Sequence, residues 1–296
     1  MIRRITPGLY NTDKKSFDVY FRTYEEVFAP LADREVHLLE LGISAGGSLE
    51  LWRDYFPGGT IAGIDVSPVT LHEAGPRVRV YRGLQQDTAL LDRVREETAP
   101  GGFDIIIDDC SHIGEFTALS FWHLFDRHLK PGGLYVIEDW GAGYMRTSPD
   151  GKAYRPRRRT GSLRSRLRPA AERLLAHPAV ARSPRARRVV QAAMNRLVRM
   201  NFPSHTRGLV GFVKQLVDEA GMADITHPGW GVPPARESKF RYVRISHGQV
   251  VIAKAGGADE ARREVPPPRR RTGGRPPGRK RTRPGRRKSP GRSRAG

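Results

Sequence analysis

The sequence predicts an α/β protein with a doubly wound, mostly parallel sheet that ends in an antiparallel hairpin strand. A basic helical insert and a disordered tail are added to it. Three observations carry this reading. Apolar runs of strand length alternate with amphipathic stretches from Val36 to about Asp139. A glycine turn, Gly42–Gly47, follows the first run, and the excess of basic charge sits in two segments outside the alternating part. Such alternation is the signature of a parallel sheet covered by helices on both faces.

The elements follow in chain order. Residues 1–35 read as an N-terminal helical segment. Val36–Leu41 is a strand candidate, and Ser48–Tyr55 a helix after the glycine turn. Thr60–Asp65 and Arg77–Tyr81 are the second and third strands. Leu90, Leu91 and Val94 give Thr88–Glu97 a helical period. Phe103–Asp108 has a nearly continuous apolar run, as a strand buried on both faces requires. Glu115–Leu129 is a helix, broken by Pro131-Gly132-Gly133 before a strand at Leu134–Ile137. Residues 141–206 interrupt the rhythm with an Arg-rich insert, for which two helical pieces are expected near Leu163–Ala176 and Arg185–Met200. The pattern resumes with the helix Leu209–Ala220, which Gly221 ends. Phe240–Ser246 and Gln249–Ala253 form a hairpin across His247-Gly248. The α/β domain thus spans residues 36–255, and residues 256–296 are Pro, Gly and Arg with too little apolar surface to fold.

The net charge is +21, with 52 Lys and Arg against 31 Asp and Glu. Residues 151–200 carry 15 basic side chains and only Glu172 as an acid, and residues 256–296 carry 15 basic and 3 acidic. The rest of the chain is therefore mildly acidic. A chain this basic invites nucleic-acid or anionic-surface binding through the tail, but from Pro266 onward the tail has no aromatic residue to stack on bases. The single Cys110 permits no intrachain disulfide. The opening residues lack the apolar stretch of a secretory signal, and no apolar run approaches the roughly 20 residues needed to cross a bilayer. A cytoplasmic protein with no membrane span is expected.

The run Leu38-Leu39-Glu40-Leu41-Gly42-Ile43-Ser44-Ala45-Gly46-Gly47-Ser48 joins the first strand to the first helix. Glycines here let backbone N–H groups approach a ligand. Asp65 ends the second strand, where a carboxylate accepts hydrogen bonds from ribose hydroxyls. Gln86-Asp87 follows the third strand, and Asp108 ends the fourth. Glu40, Gly42, Ser44, Gly46, Asp65, Gln86, Asp87 and Asp108 are the candidate cofactor-binding residues. The plainer alternative is turn chemistry for the glycines and helix capping for the acids.

The stretch LLELGISAGGSLELWRDYFPGGTIAGIDVSP resembles motifs one and two of class I S-adenosylmethionine-dependent methyltransferases, which have a Rossmann-like sheet. More narrowly, it resembles the O-methyltransferases of antibiotic sugars, of the mycinamicin and rhamnosyl-tetracenomycin type. Cephalosporin hydroxylase-like proteins share these runs. Asn11-Thr12-Asp13-Lys14 with Tyr20 and Tyr24, and the closing RYVRISHGQVVIAKA, also resemble that group. The resemblance covers about residues 10–140 and 207–255.

Asp108-Asp109-Cys110-Ser111-His112 leaves the fourth strand and Glu138-Asp139 the fifth. In the strand order of this fold those ends are neighbours, so Asp109, Glu138 and Asp139 are expected around one point. Three carboxylates there repel unless a cation sits among them, and oxygen ligands suit Mg²⁺. His112, three residues after Asp109, is a candidate general base. The resemblance implies the same roles: metal ligands at Asp109, Glu138 and Asp139, and the base at His112. That group usually has Gly where this chain has Cys110, so a left-handed backbone at Cys110 would strain the loop.

The expected function is Mg²⁺-assisted transfer of methyl from S-adenosylmethionine to a hydroxyl of a small molecule, a sugar of a natural product, by an enzyme that is a candidate homo-oligomer. The alternatives are an RNA or nucleoprotein methyltransferase guided by its basic arms, or a non-catalytic relative of the fold.

Overall fold

The structure is a computed structural model that describes residues 5–16, 18–69, 71, 75–153, 173–200 and 204–256. The tail beyond residue 256 and most of the expected helix at Leu163–Ala176 lie outside the described residues. Seven strands form one sheet: β1 (His37–Leu41), β2 (Thr60–Asp65), β3 (Val78–Arg82), β4 (Phe103–Asp108), β5 (Leu129–Glu138), β6 (Phe240–Ile245) and β7 (Gln249–Lys254). Their order is β3-β2-β1-β4-β5-β7-β6. All neighbours are parallel except β7, which runs antiparallel to both β5 and β6. The expected hairpin is therefore present and supplies the only antiparallel pairs among the described residues. The order reverses between β1 and β4, and in open sheets of this kind the ligand crevice lies beyond the strand ends at that switch point.

The two-residue period of the strands divides the core. Leu39, Leu41, Ile106, Tyr135 and Ile137 pack on one face, against α3 (Thr88–Thr98), α4 (Gly114–Arg127) and the helix Gly208–Ala220. Leu38, Ile105, Ile107 and Val136 pack on the other, against α1 (Asp18–Phe28) and α2 (Gly47–Tyr55). There Trp52 meets Tyr24 edge-on at 5.0 Å and Phe28 at 5.6 Å, so the N-terminal segment is part of the core rather than an appendage.

Two expectations are corrected. α4 ends at Arg127, and β5 begins at Leu129 rather than Leu134. Leu129 pairs with Phe103, the register slips, and pairing resumes with Ile105 opposite Leu134. The Pro-Gly-Gly run thus lies within an irregular strand, with Gly132 at φ +74°, instead of separating helix from strand. The first part of the insert also belongs to the folded body. Trp140–Tyr144 forms a 3₁₀ turn, and α5 (Pro149–Ala153) follows. Asp150 there accepts hydrogen bonds from Gly114 N at 2.9 Å and Leu209 N at 2.7 Å. One carboxylate thus neutralises two helix N-termini. The helix expected at Arg185–Met200 is present as Pro184–Met200. No helix among the described residues is long and apolar enough to cross a membrane.

Candidate active site

A cleft of about 230 Å³ opens at the switch point, between the turn after β1, the loops after β4 and β5, and the N-terminal segment. Gly42 is at φ +82°, and a Cβ there would lie 2.3 Å from Cys110 Cβ and 2.5 Å from Asp109 O. The two loops touch, and only glycine fits. Gly46, at φ +83°, ends the turn and starts α2, and a Cβ on Gly47 would lie 2.3 Å from Asn11 O. The N-terminal segment therefore lies directly over the glycine turn.

The cleft gathers Gly42, Ser44, Asp65, Asp109, His112 and Asp139 from the expected set. Asp65 Oδ2 accepts from Ile43 N and Ser44 N, both at 3.0 Å, and Oδ1 accepts from Ser67 N at 2.8 Å. The carboxylate thus organises the glycine turn itself. Gly46 shapes the turn but does not line the cleft, nor do Glu40, Gln86, Asp87, Asp108 and Glu138.

Each of the five has a visible place. Asp87 caps α3, accepting from Ala89 N at 3.1 Å and Leu90 N at 3.2 Å. Gln86 beside it is half-buried. Asp108 lies under the β4 loop, 3.2 Å from Tyr135 Oη and 3.3 Å from Ser120 Oγ. Burial pushes its pKa up to about 7, against the pull of those hydrogen bonds. Glu40 and Glu138 lie on the opposite face, toward α1 and α2. Glu40 accepts from Trp52 Nε1 at 3.2 Å, and burial pushes it up to about 7. Glu138 accepts from the Tyr24 hydroxyl on one oxygen and from Lys14 Nζ on the other, the latter at 3.0 Å. Burial raises its pKa to about 8, with Lys14 opposing.

Asp109, Glu138 and Asp139 are therefore near one another but not equivalent. The groups that share one point facing the cleft are Asp109, His112 and Asp139, whose candidate ligand atoms all lie within 4.8 Å of one another. Two carboxylates and an imidazole suit a divalent cation, with the oxygens as the stronger partners for Mg²⁺. Glu138 lies beneath, held by Tyr24 and Lys14, because it shares its strand face with Val136 and not with Ile137. Lys14 was missed as a site residue, although its motif stood out in the sequence. Its Nζ donates to Asp109 and Glu138 and lies 3.4 Å from Glu40. Burial works against the ammonium, but the three carboxylates outweigh it and hold its pKa well above the usual range. Tyr20 donates to Asp139, and Gln85, rather than Gln86, reaches Asp108 at 3.3 Å and accepts from Ser111.

The strain anticipated at Cys110 falls elsewhere. Four non-glycine residues have positive φ among the described residues: Ser44 (+46°), Ser111 (+44°), His112 (+49°) and Asp139 (+51°). All four line the cleft. Burial and the surrounding acids push the Cys110 thiol well up, which disfavours its thiolate.

No family model matches the chain. It is 38% identical over 154 residues to the 8-demethyl-8-alpha-L-rhamnosyl tetracenomycin-C 2'-O-methyltransferase of Streptomyces olivaceus, covering 48% of this chain and 40% of that protein. It is 39% identical over 143 residues to the mycinamicin VI 2''-O-methyltransferase of Micromonospora griseorubida, covering 46% and 35%. The chain thus matches less than half the length of these relatives. Among solved structures it is similar to the MycE methyltransferase of the mycinamycin biosynthetic pathway in complex with Mg and SAH. The TM-score is 0.59 at 25% identity, over 86% of this chain and 56% of that one. With the strand order, the switch-point cleft and this likeness together, the chain has the Rossmann-like fold of the S-adenosylmethionine-dependent methyltransferases.

Proposed function

We propose that the protein is an O-methyltransferase that uses S-adenosylmethionine and Mg²⁺ to methylate a hydroxyl of a glycosylated small molecule. The observation that carries this reading is the convergence of Asp109, His112 and Asp139 beside the glycine turn. The names of the relatives support a sugar hydroxyl as the acceptor. The turn from Gly42 to Gly46 would cradle the donor, with Asp65 at the mouth for its ribose. Asp109 and Asp139 would hold the cation, with Glu138 buttressing Asp109 through Lys14. S-adenosylmethionine supplies an electrophilic methyl group, and Mg²⁺ lowers the pKa of an acceptor hydroxyl. His112 takes the hydroxyl proton on an imidazole nitrogen as the oxygen becomes nucleophilic. Neutral products form from unlike charges, so holding the partners in line supplies most of the acceleration. The basic tail is an accessory that binds anionic surfaces without specificity, and deleting residues 256–296 leaves methyl transfer intact.

The test is transfer of labelled methyl from S-adenosylmethionine to glycosylated macrolide and aromatic polyketide acceptors, with Mg²⁺ and with chelator. Turnover should need the metal, fall by at least about a hundredfold in Asp109→Ala, and fall comparably at pH 7 in His112→Ala. Full activity in chelator would remove the metal from the reading, and an unchanged His112→Ala rate would remove the base.

A further inference from the structure

Three strand ends and one side chain from outside the sheet meet at a single point. Glu40 lies one residue before the end of β1, Asp109 follows β4 and Glu138 ends β5, and all three face the ammonium of Lys14. That side chain is only 2% exposed. It lies in a 3₁₀ turn, Asp13–Ser16, just before α1. The same segment places the Tyr24 hydroxyl on Glu138 and the Tyr20 hydroxyl on Asp139. Its backbone at Asn11 closes on Gly47. One ammonium thus offsets part of the charge of the three acids.

Asp109 is the shared member. Its Oδ2 receives Lys14, and it is also one of the three groups that converge on the cleft. A carboxylate already paired with an ammonium is a poorer ligand, and two cations a few ångströms apart repel each other. Uncompensated acids would in turn destabilise the metal-free protein, so the ammonium has a role on both sides of the equilibrium.

We propose that Lys14 is a positioning residue that serves as the resident counter-cation of the acid cluster, and that a divalent cation binds at Asp109 and Asp139, beside His112, in competition with it. This rests on the metal reading above. Lys14 then keeps the N-terminal segment latched while the site is empty of metal and weakens the divalent affinity of the full site. It contributes less to stability once a divalent cation is bound.

The experiment uses the full chain without substrate, and Mn²⁺ as the probe. Free Mn²⁺ is read by electron paramagnetic resonance, and melting is followed in chelator and in Mn²⁺. Lys14→Met should melt below the wild type in chelator, bind Mn²⁺ at least about tenfold more tightly, and gain more thermal stability from it. A purely structural lysine would lower the melting temperature without tightening Mn²⁺. Should Lys14→Met not fold, Lys14→Met with Glu40→Gln removes one charge of each sign and is compared with Glu40→Gln alone. Equal or weaker Mn²⁺ binding when Lys14 is removed overturns the competition. If that occurs while Asp139→Ala abolishes binding, the metal site itself stands. If neither the wild type nor the Lys14 variant binds Mn²⁺, the metal reading fails together with the competition.

Discussion

Replacing Gly42 by Ala tests whether the glycine turn and the β4 loop form one unit. The residue is at φ +82°, where an L side chain costs about 1–2 kcal/mol. The new Cβ would also lie 2.3 Å from Cys110 Cβ and 2.5 Å from Asp109 O, so backbone must shift by roughly an ångström, and overpacking of this kind costs about 1–3 kcal/mol. Together these give about 2–5 kcal/mol, which for a domain of this size lowers the melting temperature by about 5–15 °C. The shift also moves Asp109, and binding of S-adenosylhomocysteine by calorimetry should weaken by at least about tenfold. Gly101→Ala is the control, because a Cβ there meets nothing within 4 Å, and its effect should stay within about 0.5 kcal/mol. Adding Cys110→Gly to Gly42→Ala should recover only part of the loss, since the contact with Asp109 O remains. A Gly42→Ala loss below about 1 kcal/mol, or an unaltered affinity for S-adenosylhomocysteine, would refute the claim that the two loops are in obligate contact.

Two further predictions concern the buried acids. Tyr24→Phe removes the hydroxyl that donates to Glu138 and leaves that carboxylate short of a partner, so urea denaturation should show a loss of about 1–3 kcal/mol; a loss within error would mean that Lys14 alone satisfies Glu138. Asp108 has a folded pKa near 7, raised by burial above its unfolded value of about 4, so the proton it holds stabilises the fold at low pH and that contribution is lost as pH rises through 7. The stability of the wild type relative to Asp108→Asn should therefore fall between about pH 4 and 7, by up to ~1.4 kcal/mol per pH unit, and level off above about pH 8; a difference that rises with pH would reverse the sign of the argument.

Most of the sheet was legible because its strands obey simple rules. Phe103–Asp108 and Thr60–Asp65 have the expected bounds, since an apolar run ending in a single acid marks both the strand and its carboxyl end. β5 was misread at its start because Pro-Gly-Gly is ordinarily a breaker. Nothing local reveals that Leu129 still pairs with Phe103 before a register slip. Period-two parity also divides the acids. Leu38 and Glu40 share one strand face, as do Val136 and Glu138, and that is the face covered by α1 and α2. Asp108 shares the other face with Ile106, toward Ser120 of α4. The sequence alone does not reveal that Lys14, 95 residues from Asp109 and 124 from Glu138, supplies the cation between them.

The site itself announces its position through backbone strain rather than composition. Non-glycine residues pay about 1–2 kcal/mol to adopt the left-handed region, and folds keep such conformations where the surroundings impose them. Here Ser44, Ser111, His112 and Asp139 come from three separate loops, yet all four face one cleft. Chance placement in turns would scatter them around the molecule. The left-handed turn at Asp139 is what separates it from Glu138: one residue stays on its strand face toward Tyr24 and Lys14, and the next swings into the cleft. The paired left-handed residues Ser111 and His112 likewise bring the imidazole back beside Asp109 instead of letting the chain run straight into α4. The conformations that cost the fold stability are thus the ones that assemble the three groups at the cleft, which is the relation expected when strain is retained for chemistry.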